Sequence, residues 1–178
     1  MPSASYASGS NPNSMGIRIG IGGSGQSSLW QAGVALNVSS SGAELVTPWY
    51  EALPANPVYN NGIHFNAGDL IQVWTNYSSG SATFKLIDHT TGQSWGKTIS
   101  YTVNPDTAEW IAENHGYTVP NFIDVTWTIA NSSAGNLISP LLSWYQTGAW
   151  SSPNGYFSTM YNSYVTEPNQ FVVNYGGS

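Results

Sequence analysis

Apolar and polar residues alternate one by one along much of the chain, which is the pattern of β-strands with one buried face. In residues 123–129 the odd-numbered positions are Ile, Val, Trp and Ile, and the even-numbered positions are Asp, Thr and Thr. Residues 95–103 alternate in the same way. No long segment shows the period of 3.6 residues that a helix requires. The alternation therefore predicts an all-β chain.

Turn signals divide the chain at intervals close to those of a sandwich or barrel, at Gly22-Gly23, Ser79-Gly80, Thr91-Gly92 and Asn154-Gly155. Between them we expect about ten to twelve strands, packed as a β-sandwich of two antiparallel sheets. The other predicted strands are residues 17–21, 29–38, 46–51, 69–77, 82–88, 137–145, 156–161 and 170–175. We expect a flexible N-terminal leader over residues 1–15 and one domain over residues 16–178.

One segment fits two local structures. Asp106-Thr107-Ala108-Glu109 has the spacing of a helix capping box, and the following Trp-Ile-Ala-Glu could form a helical turn before Gly116. On local grounds a short helix and a strand are equally compatible with these residues.

Charged residues are scarce, at 7% of the chain with 3 Lys+Arg and 9 Asp+Glu, against roughly 25% in an average soluble domain. With so few cations the chain has no basic surface for a phosphate backbone, which excludes a nucleic-acid partner. At strongly acidic pH, protonated carboxyl groups would leave a net charge of only about +6, and little of the self-repulsion that unfolds proteins in acid. The composition is thus compatible with an acidic environment, although sugar-binding modules are also poor in charge.

The chain has no Cys, which excludes disulfides, Cys-ligated zinc and a cysteine nucleophile. His64, His89 and His115 lie in separate segments without the spacing of metal ligands, so we expect no metal. No G-x-S-x-G elbow is present, and no cofactor motif is evident. No run approaches 18 apolar residues, so we expect no membrane-spanning helix and no membrane partner.

Few carboxylates are available for acid–base chemistry, and two of them adjoin tryptophan. Glu51 follows Trp49-Tyr50 and Glu109 precedes Trp110, where an apolar neighbour can suit a carboxyl group to proton transfer. Asp69 and Asp88 lie in turn sequences, and Glu113 has no distinctive neighbours. From spacing alone, surface acids beside partly buried aromatic residues remain the favoured interpretation of Glu51 and Glu109.

Residues 104–130 (NPDTAEWIAENHGYTVPNFIDVTWTIA) resemble the motif region of the eqolisins, a family of glutamic endopeptidases. In that family an Ala-Glu-Trp-Ile segment carries the catalytic glutamate. Further matches follow the family order at residues 29–34 (LWQAGV), 48–51 (PWYE), 65–73 (FNAGDLIQV) and 90–94 (TTGQS). The resemblance covers about residues 16–135.

The resemblance implies two long, bent antiparallel sheets of the concanavalin or jelly-roll type, with Glu109 on a strand. It assigns catalysis to Glu109, as the general base that activates a water, and to Gln31, whose amide holds that water and donates to the oxyanion. Trp49, Glu51 and Trp30 are candidates for shaping the substrate cleft, although either tryptophan could instead pack in the core. The implied enzyme is a secreted, monomeric, acid-active endopeptidase that cleaves unfolded polypeptides without a cofactor.

The chain departs from the family at the first motif strand. The family commonly has Trp-Val-Gly-Ile-Asp-Gly where this chain has Arg18-Ile-Gly-Ile-Gly22-Gly23. An aromatic residue is therefore replaced by a cation and an acid by glycine. Leu53 stands where the family often has tyrosine. These changes put the subsite preference and the pH profile of the family in question for this chain.

Two other functions fit the sequence. A non-enzymatic sandwich could bind carbohydrate on exposed aromatic residues, since the chain has 8 Trp and 11 Tyr. A catalytically inactive relative could have kept the scaffold alone. The Glu109–Gln31 pair separates these alternatives, because a peptidase of this type needs both residues and a sugar-binding module needs neither.

Overall fold

The computed structural model describes residues 1–23, 27–114, 117–122, 124–127, 131–134, 137–140, 150–151, 157–158, 163–167 and 170–174. In these residues the regular structure is entirely β. The strands are β1 (Ala4–Ser5), β2 (Asn13–Gly22), β3 (Leu29–Val38), β4 (Glu44–Ala52), β5 (Val58–Tyr59), β6 (Ile71–Ser78), β7 (Ser81–Asp88), β8 (Ser94–Ser100), β9 (Ala108–Asn114), β10 (Asn121–Phe122), β11 (Asp124–Trp127), β12 (Asn131–Ala134), β13 (Leu137–Pro140), β14 (Trp150–Ser151), β15 (Phe157–Ser158), β16 (Ser163–Glu167) and β17 (Gln170–Asn174).

The largest sheet has five antiparallel strands in the order β5-β4-β3-β2-β9. Its two long central strands pair along their whole length, from Asn13 opposite Val38 to Gly22 opposite Leu29. Both central strands are buried almost throughout, so their outer face is sheltered as well as their core face. The strands are rich in Gly, Ala, Ile and Val, which suits a sheet that is covered on both sides.

A second sheet, in the order β6-β7-β8, packs against the core face of the first. Its middle strand alternates between exposed and buried residues, as the period of two in the sequence predicts. The two sheets enclose an apolar core, which includes Met15, Ile17, Trp30, Ala32, Val34, Leu36, Val46, Tyr50, Phe84 and Leu86. Two packed antiparallel sheets are thus present, as expected.

Smaller sheets complete the described part of the chain. They are the three-stranded sheet β11-β17-β16 and the pairs β1-β10, β12-β13 and β14-β15. None of the described segments forms a helix long and apolar enough to cross a membrane.

The N-terminal residues predicted as a flexible leader are part of this structure. Ala4 pairs with Phe122, which is buried in the core. β2 begins at Asn13, three residues before the predicted start of the domain, and Met15 is fully buried in the core. The apolar side chain of Met15 packs with the interior of the sandwich.

Most predicted strands have observed counterparts, and the predicted strand at residues 29–38 coincides with β3. The segment around Glu109 is a strand, not a short helix, because residues 108–114 pair with β2 along their whole length. The long-range hydrogen bonds of a sheet here outweigh the local capping signal. Predictions for residues 123, 128, 129, 141–145, 154–156, 159–161 and 175 lie outside the described residues.

Candidate active site

Four residues form one row across the outer face of the five-stranded sheet. Gly20 on β2 lies opposite Gln31 on β3 and opposite Glu109 on β9. Gln31 in turn lies opposite Glu51 on β4. Directly opposed residues of an antiparallel sheet project their side chains to the same face. The row Glu51–Gln31–Gly20–Glu109 therefore brings three functional side chains together around a glycine.

The glycine in the middle of the row leaves space between Gln31 and Glu109. A Cβ atom at Gly20 would lie 3.5 Å from Glu109 Oε2 and 3.4 Å from Arg18 Nη1. Any side chain at this position would therefore project between the amide and the carboxylate.

Gln31 is held by its neighbour in the row. Its Nε2 donates a hydrogen bond to Glu51 Oε2. The amide is buried, and no group in the described part of the chain donates to its Oε1. A buried carbonyl oxygen without a donor costs free energy unless water or a ligand donates to it. The fixed amide therefore offers an acceptor and its second N–H beside the gap above Gly20.

Glu109 is held from the other side by a buried cation. Arg18 Nη1 donates to Glu109 Oε2 at 2.9 Å, while Arg18 Nε donates to Glu113 Oε1 at 2.5 Å and Nη2 to Glu113 Oε2 at 3.3 Å. Burial alone would lower the pKa of Arg18, but its hydrogen bonds and ion pairs with Glu113 and Glu109 raise the pKa above the ordinary value. Arg18 therefore stays charged at any pH at which the protein would work.

A groove of about 530 Å³ extends along the same face from Gln31 and Glu51. It is lined by small, amide, aromatic and acidic residues, namely Pro12, Ser14, Gln31, Ala35, Asn37, Trp49, Glu51, Pro57, Tyr59, Glu113 and Tyr117. Burial, then the negative charge of Glu51 and then Tyr117, raise the pKa of Tyr59 above its ordinary value. Tyr59 therefore remains an O–H donor in the groove through acidic and neutral pH.

The structure brings four of the five predicted site residues to this face. Glu109, Gln31 and Glu51 lie in the row, and Trp49 lines the groove beside it. Trp30 lies on the opposite face of the sheet. It is fully buried there, its Nε1 donates to Thr83 O at 3.2 Å, and it packs against core aromatic residues. Trp30 is thus a core residue, because neighbours in a strand point to opposite faces.

The sequence pattern assigned no role to Glu113, which forms an ion pair with Arg18 at this site. The signal that could have found it is the spacing of Glu109 and Glu113. Because residues 108–114 form a strand, and residues an even number of positions apart in a strand point to the same face, these two carboxylates lie on the same face. The groove residues Tyr59 and Tyr117 were also not predicted. Tyr59 comes from a segment that no motif marked, whereas Tyr117 lies within the motif region 104–130 but was given no role there.

Two other acids, Asp69 and Asp88, are structural. Asp69 Oδ2 accepts the backbone N–H of Asn66 at 2.6 Å, and Asp88 Oδ1 accepts the backbone N–H of Thr90 at 2.7 Å. Both aspartates fix turns, as their sequence context predicted. Within the described ranges, no group of three or more His, Asp or Glu side chains has the arrangement of a metal site.

The fold is similar to that of several solved glutamic peptidases. Aspergilloglutamic peptidase from Aspergillus niger matches with a TM-score of 0.79 at 24% identity, over 92% of this chain and 99% of that chain. Scytalido-glutamic peptidase with a peptide-based transition state analog matches with a TM-score of 0.78 at 22% identity, over 98% of this chain and 88% of that chain. SCP-B, a member of the eqolisin family in a complex with a tripeptide, matches with a TM-score of 0.74 at 21% identity, over 98% of this chain and 87% of that chain.

These matches confirm the predicted β-sandwich of antiparallel sheets. No match was found among curated protein sequences. The Peptidase A4 family matches the chain over residues 1–166, which is most of its length. The chain belongs to the peptidase A4 family, the eqolisins, and is a peptidase with the fold of the glutamic peptidases.

Proposed function

We propose that the protein is an acid-active glutamic endopeptidase that cleaves unfolded polypeptides, with Glu109 as general base and Gln31 as its amide partner. The observation that carries this proposal is the row across the sheet. Gln31 and Glu109 lie opposite the same residue, Gly20, on its two sides. Two strand spacings separate their backbones by about 9.5 Å, a gap that two long side chains and one small reactant can fill.

The two side chains supply complementary chemistry. In the proposed reaction, the Glu109 carboxylate takes a proton from a water whose oxygen attacks the peptide carbonyl carbon. The Gln31 amide N–H stabilises the oxyanion that forms on the carbonyl oxygen. Glu109 then returns the proton to the peptide nitrogen as the C–N bond breaks. One carboxyl group thus acts first as base and then as acid.

The choice of residue types suits an acidic environment. An amide does not titrate, so Gln31 can donate and accept hydrogen bonds at any pH. A carboxylate remains a base at a pH at which histidine is fully protonated and has lost that ability. The scarcity of Lys and Arg, 3 in the chain, also limits positive charge in acid. These features support the extension of the proposal to an acidic, extracellular setting.

The groove supplies a place for a polypeptide substrate. It begins at Gln31 and Glu51 in the catalytic row and continues over the small residue Ala35 between aromatic walls. Its volume of about 530 Å³ is that of a pocket for several amino-acid residues. Two of the similar solved structures hold a peptide-based transition state analog and the tripeptide Ala-Ile-His, which supports a peptide as the ligand class.

The proposal is tested with variants of the catalytic pair. The purified protein is incubated with a denatured protein substrate across pH 2–7, and the products are measured by mass spectrometry. Glu109→Gln should abolish cleavage, because an amide cannot take the proton. The amide oxygen can still accept the hydrogen bond from Arg18 Nη1, although the charge of the ion pair is lost. Gln31→Ala should lose about 10²–10³ in rate or more. Glu109→Asp withdraws the carboxylate by about 1 Å and should lose about 10²-fold.

Glu44→Gln is the matched control, since Glu44 lies at the far end of β4 and its Oε1 accepts the backbone N–H of Ala4 at 3.1 Å. An amide oxygen can accept the same bond, so this variant should cleave at the parental rate. Near-parental cleavage by a folded Glu109→Gln variant would refute the proposal. It would show that a group other than Glu109 serves as the base. No cleavage by the parent protein at any pH from 2 to 7 would instead favour a sugar-binding or catalytically inactive sandwich.

A further inference from the structure

The outer face of the sheet contains a buried cation beside the catalytic row. Arg18 lies two residues before Gly20 on β2, and its side chain is only 8% exposed. A charge in such a place is costly unless it is paired and hydrogen-bonded. This is the position at which the chain replaces an aromatic residue of its family motif with arginine, so the cation needs an explanation particular to this chain.

The geometry of β9 explains how the cation is paired. Arg18 lies directly opposite Ile111. Glu109 and Glu113 are two residues to either side of Ile111, so both point to the face of Arg18 and lie on its diagonals. Arg18 Nη1 reaches Glu109 Oε2 at 2.9 Å, and the Nε and Nη2 atoms form a fork with the two oxygens of Glu113.

A glycine on the neighbouring strand avoids a steric clash with the arginine. Gly33 lies opposite Arg18 on β3. A Cβ atom at Gly33 would lie 2.1 Å from the backbone oxygen of Ile17 and 2.8 Å from Arg18 Cβ. Strand β3 can therefore approach this part of β2 only with glycine at that position.

The two carboxylate oxygens of Glu109 have different neighbours. Oε2 accepts from Arg18, whereas Oε1 lies beside Gly23, 3.0 Å from the point that a Cβ atom there would occupy. One oxygen is thus anchored by a buried, fixed guanidinium. The other borders Gly23, whose missing side chain leaves room for a small reactant, while the anchored Oε2 is the oxygen that faces Gly20.

We propose that Arg18, held by Glu113, is a positioning residue that anchors one oxygen of the Glu109 carboxylate and thereby directs the other toward the water. This inference rests on the proposed role of Glu109 as general base. In this arrangement Glu113, which also lines the groove, acts on Glu109 through Arg18, as the bidentate partner that fixes the guanidinium. Planar forks of this kind give geometric specificity in addition to charge.

The test uses the full chain and a peptide substrate for which kcat and KM are measured separately. Arg18→Met should lower kcat by about 10²-fold, the loss expected for misplacing a catalytic group by about 1 Å, with KM within about twofold. Arg18→Lys restores a cation without the fork and should recover part of kcat. Lys85→Met is the matched control, because it removes an exposed cation on the other sheet, and it should leave both constants unchanged.

A double-mutant cycle tests whether Glu113 acts through Arg18. Glu113→Gln should lower kcat in the parental chain but have no further effect in the Arg18→Met background. The double variant also removes both charges of the pair, so it gives a folded comparison if Arg18→Met alone does not fold. Additive effects of the two substitutions on kcat would contradict the proposed chain of contacts.

The outcomes separate this inference from the proposed function. In one outcome Glu109→Gln is inactive, while the folded Arg18→Met variant or the folded double variant keeps the parental kcat. That result would support Glu109 as the general base and refute the positioning role of Arg18. If Glu109→Gln retains cleavage, the proposed function itself has failed. Equal losses of kcat in Arg18→Met and Arg18→Lys, with a raised KM in both, would also refute positioning and assign Arg18 to substrate binding.

Discussion

The glycine between Gln31 and Glu109 gives the sharpest prediction, because one methyl group placed there tests the geometry of the whole row. In Gly20→Ala the new Cβ atom would lie 3.5 Å from Glu109 Oε2 and 3.4 Å from Arg18 Nη1. Those distances are ordinary contacts, so the ion pair remains. The methyl group nevertheless occupies space between the amide and the carboxylate, where the water and the peptide carbonyl are proposed to react.

The cost to the fold should be small. The tightest contact of the new methyl group is 3.1 Å to Leu29 Cδ1, the end of a flexible side chain. Overpacking typically costs about 1–3 kcal/mol, and a contact that a side-chain rotation can relieve belongs at the lower end. A loss of about 1 kcal/mol corresponds to a fall of roughly 2–4 °C in the Tm of a chain of this size.

The cost to catalysis should be large. Displacing the reacting water by about 1 Å predicts a fall in kcat of about 10²-fold. The larger, β-branched side chain in Gly20→Val suits a strand but fills more of the gap, and it should lower kcat further. Binding in the groove away from the row is untouched, so KM should change much less than kcat.

The assay compares kcat, KM and Tm of the two variants with those of the parent and of Gly62→Ala. Gly62 lies in an exposed turn, where the only near neighbour of a new Cβ atom is Asn60 Oδ1 at 3.3 Å. This control should match the parent in kcat. If folded Gly20→Ala has a kcat within about threefold of the parent, the space above Gly20 does not hold the reactants, and the proposed row is refuted.

Three further predictions concern stability and inhibition. Asp88 is fully buried, and although burial raises its pKa, hydrogen bonds from Thr91 and Thr90 lower it below the ordinary value. A carboxyl group whose pKa is lowered in the folded state stabilises the fold at pH values above its ordinary pKa of about 3.9, and this stability is lost as pH falls. Asp88→Asn should therefore cost about 1–3 kcal/mol of unfolding free energy at pH 5 and less at pH 2. An equal loss of Tm at the two pH values would contradict this. Since 9 Asp+Glu face only 3 Lys+Arg, repulsion among the carboxylates should lower Tm as they ionise between pH 3 and pH 8, and a steady rise in Tm over that range would contradict this reasoning. Chelators, serine- and cysteine-directed reagents and pepstatin should leave cleavage largely intact, and inactivation by a chelator would overturn the metal-free mechanism.

Much of the fold could be predicted from the sequence because the signals for half-buried strands are local. The alternation in residues 82–88 predicts β7 to within one residue, and the turn at Ser79-Gly80 lies where β6 gives way to β7. Parity within a strand carries information as well. Trp30 and Gln31 are adjacent in β3, so they could not both face the same cleft, and the sequence alone contained the reason that Trp30 lies in the core.

The structure of residues 106–113 could not be decided in this way. The capping signal of Asp106 to Glu109 is real but local, and the strand is fixed by pairing with β2, a segment about 90 residues earlier in the chain. The family resemblance moved Glu109 to a strand, but it said nothing of Arg18 beyond its being a departure. The ion pairs of Arg18 with Glu109 and Glu113 depend on the same distant pairing.

The sequence by itself determined most of the strands, which side chains share a face within each of them, and, through its motifs, which glutamate and glutamine are the catalytic candidates. Only the tertiary structure decided that Gln31, Gly20 and Glu109 share one row, because register between strands is set by hydrogen bonds and packing among segments distant in sequence. A shift of one residue in that register would turn a strand's side chains to the other face, so the site exists only in the register that buries the core.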